Sequence, residues 1–333
     1  MNYYATLGPS CMDEETLLAL MDFGMTGLRY NLAHGSLRAI QPVLQSFQKK
    51  LRQERRSLRF LIDLEGAKLR IGRLDKERLL REGEYLDFGE NTEIPVPEEL
   101  ISCVAVGDRI NLDDNKLLAE VVSKASGGFC AHVLRGGALS SRKTIKIEGK
   151  EVPLSILTES DRENLSLLRE CGIGEIMVPF CERVEDLEEI RRSLDEADAP
   201  RVRLFAKIET PEGVARAEEL ADHCDVLVIA RGDLGNAFPL CEVPRLQKKL
   251  AEICRAKKRP FLVVTQLLDS MIDRPVPTRA EVSDIYNAVL DGCSYLMLTG
   301  ETAVGAHPGE AMRWLVQTGR TAQRDLAERG LGV

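Results

Sequence analysis

At 333 residues, 44% hydrophobic and 29% charged, the chain can bury one large core, or a large one and a small one, and its composition excludes general disorder. A formal net charge of -8 argues against non-specific nucleic-acid binding, and no apolar run approaches the roughly 18 residues of a membrane helix, so neither partner is expected. Nine scattered cysteines without a Cys-x-x-Cys pair, and an opening segment Met1–Gly8 without a basic leader, exclude a zinc ribbon or disulfide scaffold and point to a reducing cytoplasm.

In chain order, short apolar runs alternate with helix-period segments. Asn2–Thr6, Gly27–Leu32, Leu58–Asp63, Glu175–Pro179, Val202–Lys207, Asp225–Ala230, Pro260–Thr265 and Ser294–Leu298 read as strands. Between them Asp13–Asp22, Leu37–Arg52, Val184–Glu196, Pro211–Ala221, Val243–Lys257 and Arg279–Leu290 read as helices, with His307–Arg329 after the last strand. Ser10 ahead of Asp13-Glu14-Glu15, and Thr278 ahead of Arg279-Ala280-Glu281, are start signals. About eight such units predict an α/β fold, a closed parallel (β/α)8 TIM barrel.

One unit is interrupted. From about Ile71 to Val152 the helical period gives way to short alternating runs, Tyr85–Phe88, Arg109–Leu112, Leu118–Val122 and Phe129–Leu134, separated by Gly, Asp and Asn turns. The expectation is a small antiparallel β-barrel lid domain at 71–152, inserted into a barrel made of 1–70 and 153–333, with the return near Pro153.

In a parallel barrel the active site lies at the carboxyl ends of the strands. Those ends gather Arg29 and Asn31, Asp63, Lys207 and Glu209, Asp233, Thr265, and Thr299 with Glu301. Two carboxylates suit a hard divalent ion such as Mg²⁺ or Mn²⁺, and Arg29, Lys207 and Arg70 suit phosphate oxygens. Gly232-Asp233-Leu234-Gly235 reads as a glycine-lined turn whose N–H groups could hold an anion. Each residue alone has a plainer reading: Glu209 or Asp233 as a cap or surface acid, Arg29 as a structural ion pair, His34 as structural, Met271 as core, Asp113-Asp114 as turn residues. Their convergence on one end of the barrel favours a site.

These segments resemble the pyruvate kinase family in order. The blocks are Thr6-Leu-Gly-Pro-Ser10, Arg29-x-Asn31, His34-Gly35, Lys207-Ile-Glu209, Ala230-Arg-Gly-Asp-Leu-Gly235, Thr265–Met271, Pro277–Glu281, Asn287–Gly292 and Leu298–Ala303, with Val106–Asp108, Asp113-Asp114 and Ser141–Lys143 in the insert. The resemblance implies phosphoryl transfer from phosphoenolpyruvate to a nucleoside diphosphate, ADP, giving pyruvate and ATP, as in glycolysis. It implies Mg²⁺ (or Mn²⁺) on Glu209 and Asp233, Lys207 on the phosphoryl group in flight, and Arg29 and Arg70 on the phosphate. Gly232, Asp233 and Thr265 would cradle the substrate carboxylate, and Thr265 and Thr299 would lie on the protonation side. Pro9, His34, Arg70 and Lys143 would meet the nucleotide. Phosphoryl transfer of this kind needs positioning and charge neutralisation more than covalent help.

Against the family pattern, Asn31 and Asp63 keep two potassium-site positions while Ala33 and Leu64 lose the hydroxyls. Lys68 stands where potassium-dependent members carry Glu, which implies a tethered ammonium in place of K⁺ and activity that does not require it. Glu65 replaces a usual Lys, and Thr144–Gly149 departs from the family's lid block. The family's C-terminal regulatory domain is expected to be absent, so a homo-oligomer would form through barrel faces. The altered lid leaves another phosphoryl acceptor open, and the altered cation site a non-catalytic phosphoenolpyruvate-binding protein.

Overall fold

A computed structural model of the protein describes residues 1–67, 69–113, 116–150, 152 and 155–330. The chain forms two compact units, Met1–Gly66 with Leu157–Val333, and Ala67–Ile156.

The first unit is a closed barrel of eight parallel strands, β1 (Asn2–Thr6), β2 (Gly27–Asn31), β3 (Arg59–Asp63), β4 (Glu175–Val178), β5 (Arg203–Ile208), β6 (Val226–Ala230), β7 (Phe261–Val264) and β8 (Tyr295–Met297). Neighbours in the barrel are neighbours in sequence, and β8 closes onto β1 through Asn2↔Tyr295 to Tyr4↔Met297. Strands β6, Val-Leu-Val-Ile-Ala, and β7, Phe-Leu-Val-Val, are apolar throughout and buried on both faces, as is usual in a parallel barrel. The interior is packed by Tyr4, Leu61, Met177, Phe205, Val226, Val228, Leu262, Val264, Tyr295 and Met297. These residues set the parity of every barrel strand but β2. On β5 the residues in step with Phe205 are Arg203, at the amino end, and Lys207, at the carboxyl end; Glu209 continues the same alternation. On β3 Asp63 is in step with Leu61, and on β1 Thr6 is in step with Tyr4.

At the amino end of the barrel the charges neutralise one another. Buried Glu175 accepts from Tyr4 Oη at 2.6 Å and Arg203 Nη1 at 3.1 Å, and Arg203 Nη1 also reaches Tyr295 Oη at 2.8 Å. Burial pushes the Glu175 carboxyl up, against the pull of Tyr4 and Arg203. Gly27 is required here: a Cβ at that position would stand 2.3 Å from the Tyr4 ring.

Several helices end where the sequence places them, Val184–Glu196 and Arg279–Leu290 among them, the latter started by the Thr278–Glu281 capping box. Three readings are corrected. The first helix, Glu14–Phe23, is capped by Asp13, whose side chain accepts from Thr16 N at 2.8 Å; Ser10 sits in a 3₁₀ turn, Pro9–Cys11, ahead of it. The segment from Pro211 is two helices, Pro211–Ala215 and Ala217–His223, because Arg216 leaves helical geometry at φ -103°, ψ 11°. Arg231–Ala237 is a short helix rather than a glycine-lined turn: Phe238 N closes its end on Leu234 O at 2.9 Å.

The second unit is built on a six-stranded sheet in the order Ile145–Ile147, Arg109–Leu112, Leu117–Ala125, Gly128–Arg135, Tyr85–Gly89, Ile94–Pro95. All neighbours are antiparallel except the last pair. A two-stranded piece pairs Arg78–Leu80 with Gly137–Leu139. Phe88 and Phe129 stack at 4.9 Å in its own core. Pro153, where the sequence places the return to the barrel, lies outside the described residues.

Candidate active site

The carboxyl ends of β1, β2, β3 and β5 carry one connected charge cluster. The alternation on β5 delivers Lys207 inward, and its Nζ lies 3.7 Å from Asp63 Oδ1 and 3.3 Å from Glu209 Oε2. Arg29, from β2, sends Nε and Nη2 to Asp63 Oδ2 at 3.1 and 2.5 Å and Nη1 to Thr6 Oγ1 at 3.1 Å. A guanidinium has five N–H donors, so part of that fork is left for another oxygen. Glu209 Oε1 accepts from Phe180 N at 2.9 Å.

Two cations and two carboxylates are thus held with little water around them, an arrangement that is costly unless each charge is compensated. Burial pushes the Lys207 ammonium down, but the Asp63 and Glu209 carboxylates outweigh it and hold its pKa above the ordinary value. Burial pushes the Glu209 carboxyl up; Lys207 pulls it back and Asp233 adds to the rise, so that the group sits above the usual carboxylate range. Glu209 Oε2 and Asp63 Oδ1 are buried and make no hydrogen bond. A buried acceptor without a donor is an oxygen available to a cation.

Asp233 reaches this cluster from the first turn of Arg231–Ala237, where helix N–H groups have no partner within the helix. It is half-buried, and close enough for its charge to act on both Glu209 and Lys207. Hard carboxylate oxygens on Glu209 and Asp233, one of them without a hydrogen bond, fit a divalent ion such as Mg²⁺ or Mn²⁺. Among the described residues no group of three or more His, Cys, Asp or Glu is placed to hold a metal ion by itself, so further ligands would have to come from substrate and water, as is usual for Mg²⁺.

Thr265 follows β7 with φ 77°, and Gln266 follows it with φ 55°. A β-branched residue in the left-handed region is an outlier, costing on the order of 1–3 kcal/mol. Gly232 accommodates it: a Cβ on Gly232 would lie 3.0 Å from Thr265 Cγ2. After β8, Thr299 donates its N–H and Oγ1 to Glu301 Oε2 at 2.7 and 3.2 Å, and Leu268 N reaches Glu301 Oε1 at 3.1 Å. Buried Glu301 therefore ties the β7 and β8 loops together.

The remaining sequence candidates divide. Pro9 lies in the turn after β1. Asn31 turns its Oδ1 to Ala33 N at 3.2 Å, capping the turn Leu32–His34, and His34 is exposed. In the second unit, Arg70 pairs with Thr144 as an isolated bridge and donates Nη1 to Arg142 O at 2.7 Å, while Lys143 Nζ lies 3.0 Å from Asp113 Oδ1. Lys68 lies outside the described residues.

Sequence reasoning gave no part to Arg231, which donates to the carbonyls of Thr265 and Gln266, or to Asp161. Fully buried Asp161 accepts from Glu65 N at 2.9 Å and Gly66 N at 3.0 Å and so shapes the loop after β3. Its signal was present in Thr158-x-x-Asp161, the spacing of a capping box, which the structure contains. Arg231 has no such local signal.

The family model described as the pyruvate kinase barrel domain matches residues 2–312. A pyruvate kinase of Aeropyrum pernix is 34% identical over 325 residues, 97% of this chain and 71% of that protein. One of Geobacillus stearothermophilus is 35% identical over 336 residues, 98% of this chain and 57% of that protein. Among solved structures, the crystal structure of a pyruvate kinase from Cryptosporidium parvum superposes with a TM-score of 0.82 at 27% identity, covering 97% of this chain and 69% of that one.

Proposed function

This chain belongs to the pyruvate kinase family, and from that premise we propose that it transfers the phosphoryl group of phosphoenolpyruvate to ADP, giving pyruvate and ATP, with Mg²⁺ on Glu209 and Asp233. The chain spans 57% of the length of one of these relatives and 71% of the other, so the activity of the whole proteins is carried over here as a reading. The observation that supports it best is Lys207 set between Asp63 and Glu209, each of which keeps a buried carboxylate oxygen that makes no hydrogen bond.

An oxygen of the ADP β-phosphate attacks phosphorus, the bond from phosphorus to the enol oxygen breaks, and the enolate takes a proton at its methylene carbon. Bound Mg²⁺ supplies charge neutralisation on the substrate oxygens. Lys207 meets the negative charge of the phosphoryl group, and its raised pKa keeps it cationic while it does so. Asp63 holds Arg29 so that the rest of the fork faces the phosphate. Thr265, with Gly232 and Asp233, receives the substrate carboxylate. Thr265 and Thr299, with a water, form the side from which the proton arrives. On the barrel unit, Pro9 and His34 contact the nucleotide.

The reaction is independent of K⁺ in this reading, on the strength of Lys68 in the sequence and the missing hydroxyls at Ala33 and Leu64. No helix among the described residues is long and apolar enough to cross a membrane, in keeping with a cytoplasmic enzyme acting on small anionic substrates, alone or as a homo-oligomer through barrel faces. The test is pyruvate formation from phosphoenolpyruvate, ADP and MgCl₂ in sodium- and potassium-free buffer, then with KCl. Turnover in both is the expected result. Turnover only with KCl removes the tethered-cation part, and none in either removes the reaction.

A further inference from the structure

Arg231 is the first residue of the short helix that carries Asp233, yet its side-chain hydrogen bonds go to Thr265, Gln266, Asp284 and Gln247 rather than to the charge cluster. Its side chain is largely buried, 11% exposed. Nε and Nη2 donate to Thr265 O at 3.2 and 2.7 Å, and Nη2 also donates to Gln266 O at 3.1 Å. Nη1 is anchored on Asp284 Oδ2 at 2.6 Å, in the helix Arg279–Leu290, with a longer contact to Gln247 Oε1 at 3.5 Å. The two carbonyls it takes belong to the two consecutive residues with positive φ. A strained conformation persists only where its surroundings over-determine it. A rigid fork anchored on a carboxylate is the group suited to hold two adjacent carbonyls at once.

We propose that Arg231 is a positioning residue: its guanidinium, braced by Asp284, clamps Thr265 and Gln266 in the left-handed region and thereby sets Thr265 against Gly232 beside Asp233. This deepens the proposed reaction and rests on it for the role of Thr265. Arg231 touches no reacting atom, so its loss acts through the placement of Thr265. An error of about 1 Å in a positioned group can cost about 100-fold in rate. Arg231→Met is therefore expected to lower kcat at least about tenfold, with the KM for ADP within about twofold of the parent.

The test compares the parent, Arg231→Met and the double variant Arg231→Met/Asp284→Asn, by pyruvate formation, thermal unfolding and crystal structures. The double variant removes the carboxylate that the single change leaves without its cation. Support consists of low kcat in both variants, a retained cooperative melt, and Thr265 returned to negative φ. Recovery of kcat in the double variant overturns the clamp, since the single-variant loss then came from the stranded Asp284 charge. So does Thr265 keeping its positive φ without Arg231. If the parent itself makes no pyruvate, the proposed reaction fails, and the Thr265 conformation in the variants still decides whether Arg231 holds it.

Discussion

Lys207 Nζ stands 3.3 Å from Glu209 Oε2, two residues along the same strand edge, an ion pair in which that oxygen makes no hydrogen bond. Period-two alternation puts both side chains on the barrel interior, and the barrel then denies them water. The pair is internally compensated, but Glu209 keeps an acceptor to spare. A metal ion and a transferring phosphoryl group are what the two would share.

Lys207→Met is expected to lower kcat for pyruvate formation by about 10²–10³, the cost typical of losing one preorganised charge-stabilising group. The barrel interior below it is apolar and untouched by the change, so the variant should still unfold cooperatively. Steady-state kinetics with a thermal melt checks both, and unchanged turnover would remove Lys207 from its assigned role.

Asp233→Asn is expected to weaken divalent-ion binding. Losing an outer partner of a metal site costs about 10–100-fold, so a direct carboxylate should reach about 100-fold. Titration of Mn²⁺ followed by the electron paramagnetic resonance of the free ion measures this without turnover. Affinity equal to the parent's would place the ion elsewhere.

Asp225 supplies the pH prediction. Burial pushes its carboxyl up, but Leu204 N at 2.7 Å and Arg191 Nη2 at 2.6 Å more than offset this and hold it below the ordinary value of 3.8. A depressed folded-state pKa contributes stability that is present above the ordinary pKa and lost as pH falls through the folded one. Asp225→Asn should therefore cost roughly 1 kcal/mol at pH 7, modest because the pair is partly exposed. The difference from the parent should shrink below about pH 4. Denaturant unfolding at several pH values tests it, and a pH-independent difference would contradict it.

Gly27→Ala should destabilise the barrel by about 1–3 kcal/mol through overpacking. Tyr4 is fully buried and its hydroxyl is held by Glu175, so the ring has nowhere to retreat from the new methyl. Urea unfolding gives the value; a neutral substitution would show that the β1–β2 contact can open.

The barrel was legible because each of its strands is a short apolar run that carries its own signal, and because alternation on β5 alone tells that Lys207 and Glu209 share a face with Phe205. Val184–Glu196 and Arg279–Leu290 could be bounded from local capping and periodicity. The loop containing Asp233 could not: Gly232 and Gly235 suit a turn and a helix alike, and only the contacts around them select the helix Arg231–Ala237. The ordered blocks around Lys207, Asp233, Thr265 and Thr299 identified the family, since they depend on residue identity and spacing.

Sequence by itself therefore determined which segments form the barrel strands and which charges reach their carboxyl ends, while short strands of the second unit such as Arg78–Leu80 and Gly137–Leu139 carried no signal of their own. Tertiary structure alone decided how those ends are wired. Arg29 pairs with Asp63, 34 residues away; Arg231 holds Thr265, also 34 away; Glu301 accepts from Leu268, 33 away. None of these partnerships is local. Each exists because barrel closure brings strand ends together in a space too dry to leave a charge unpaired, and the chain meets that constraint with whichever opposite charge or backbone group arrives there.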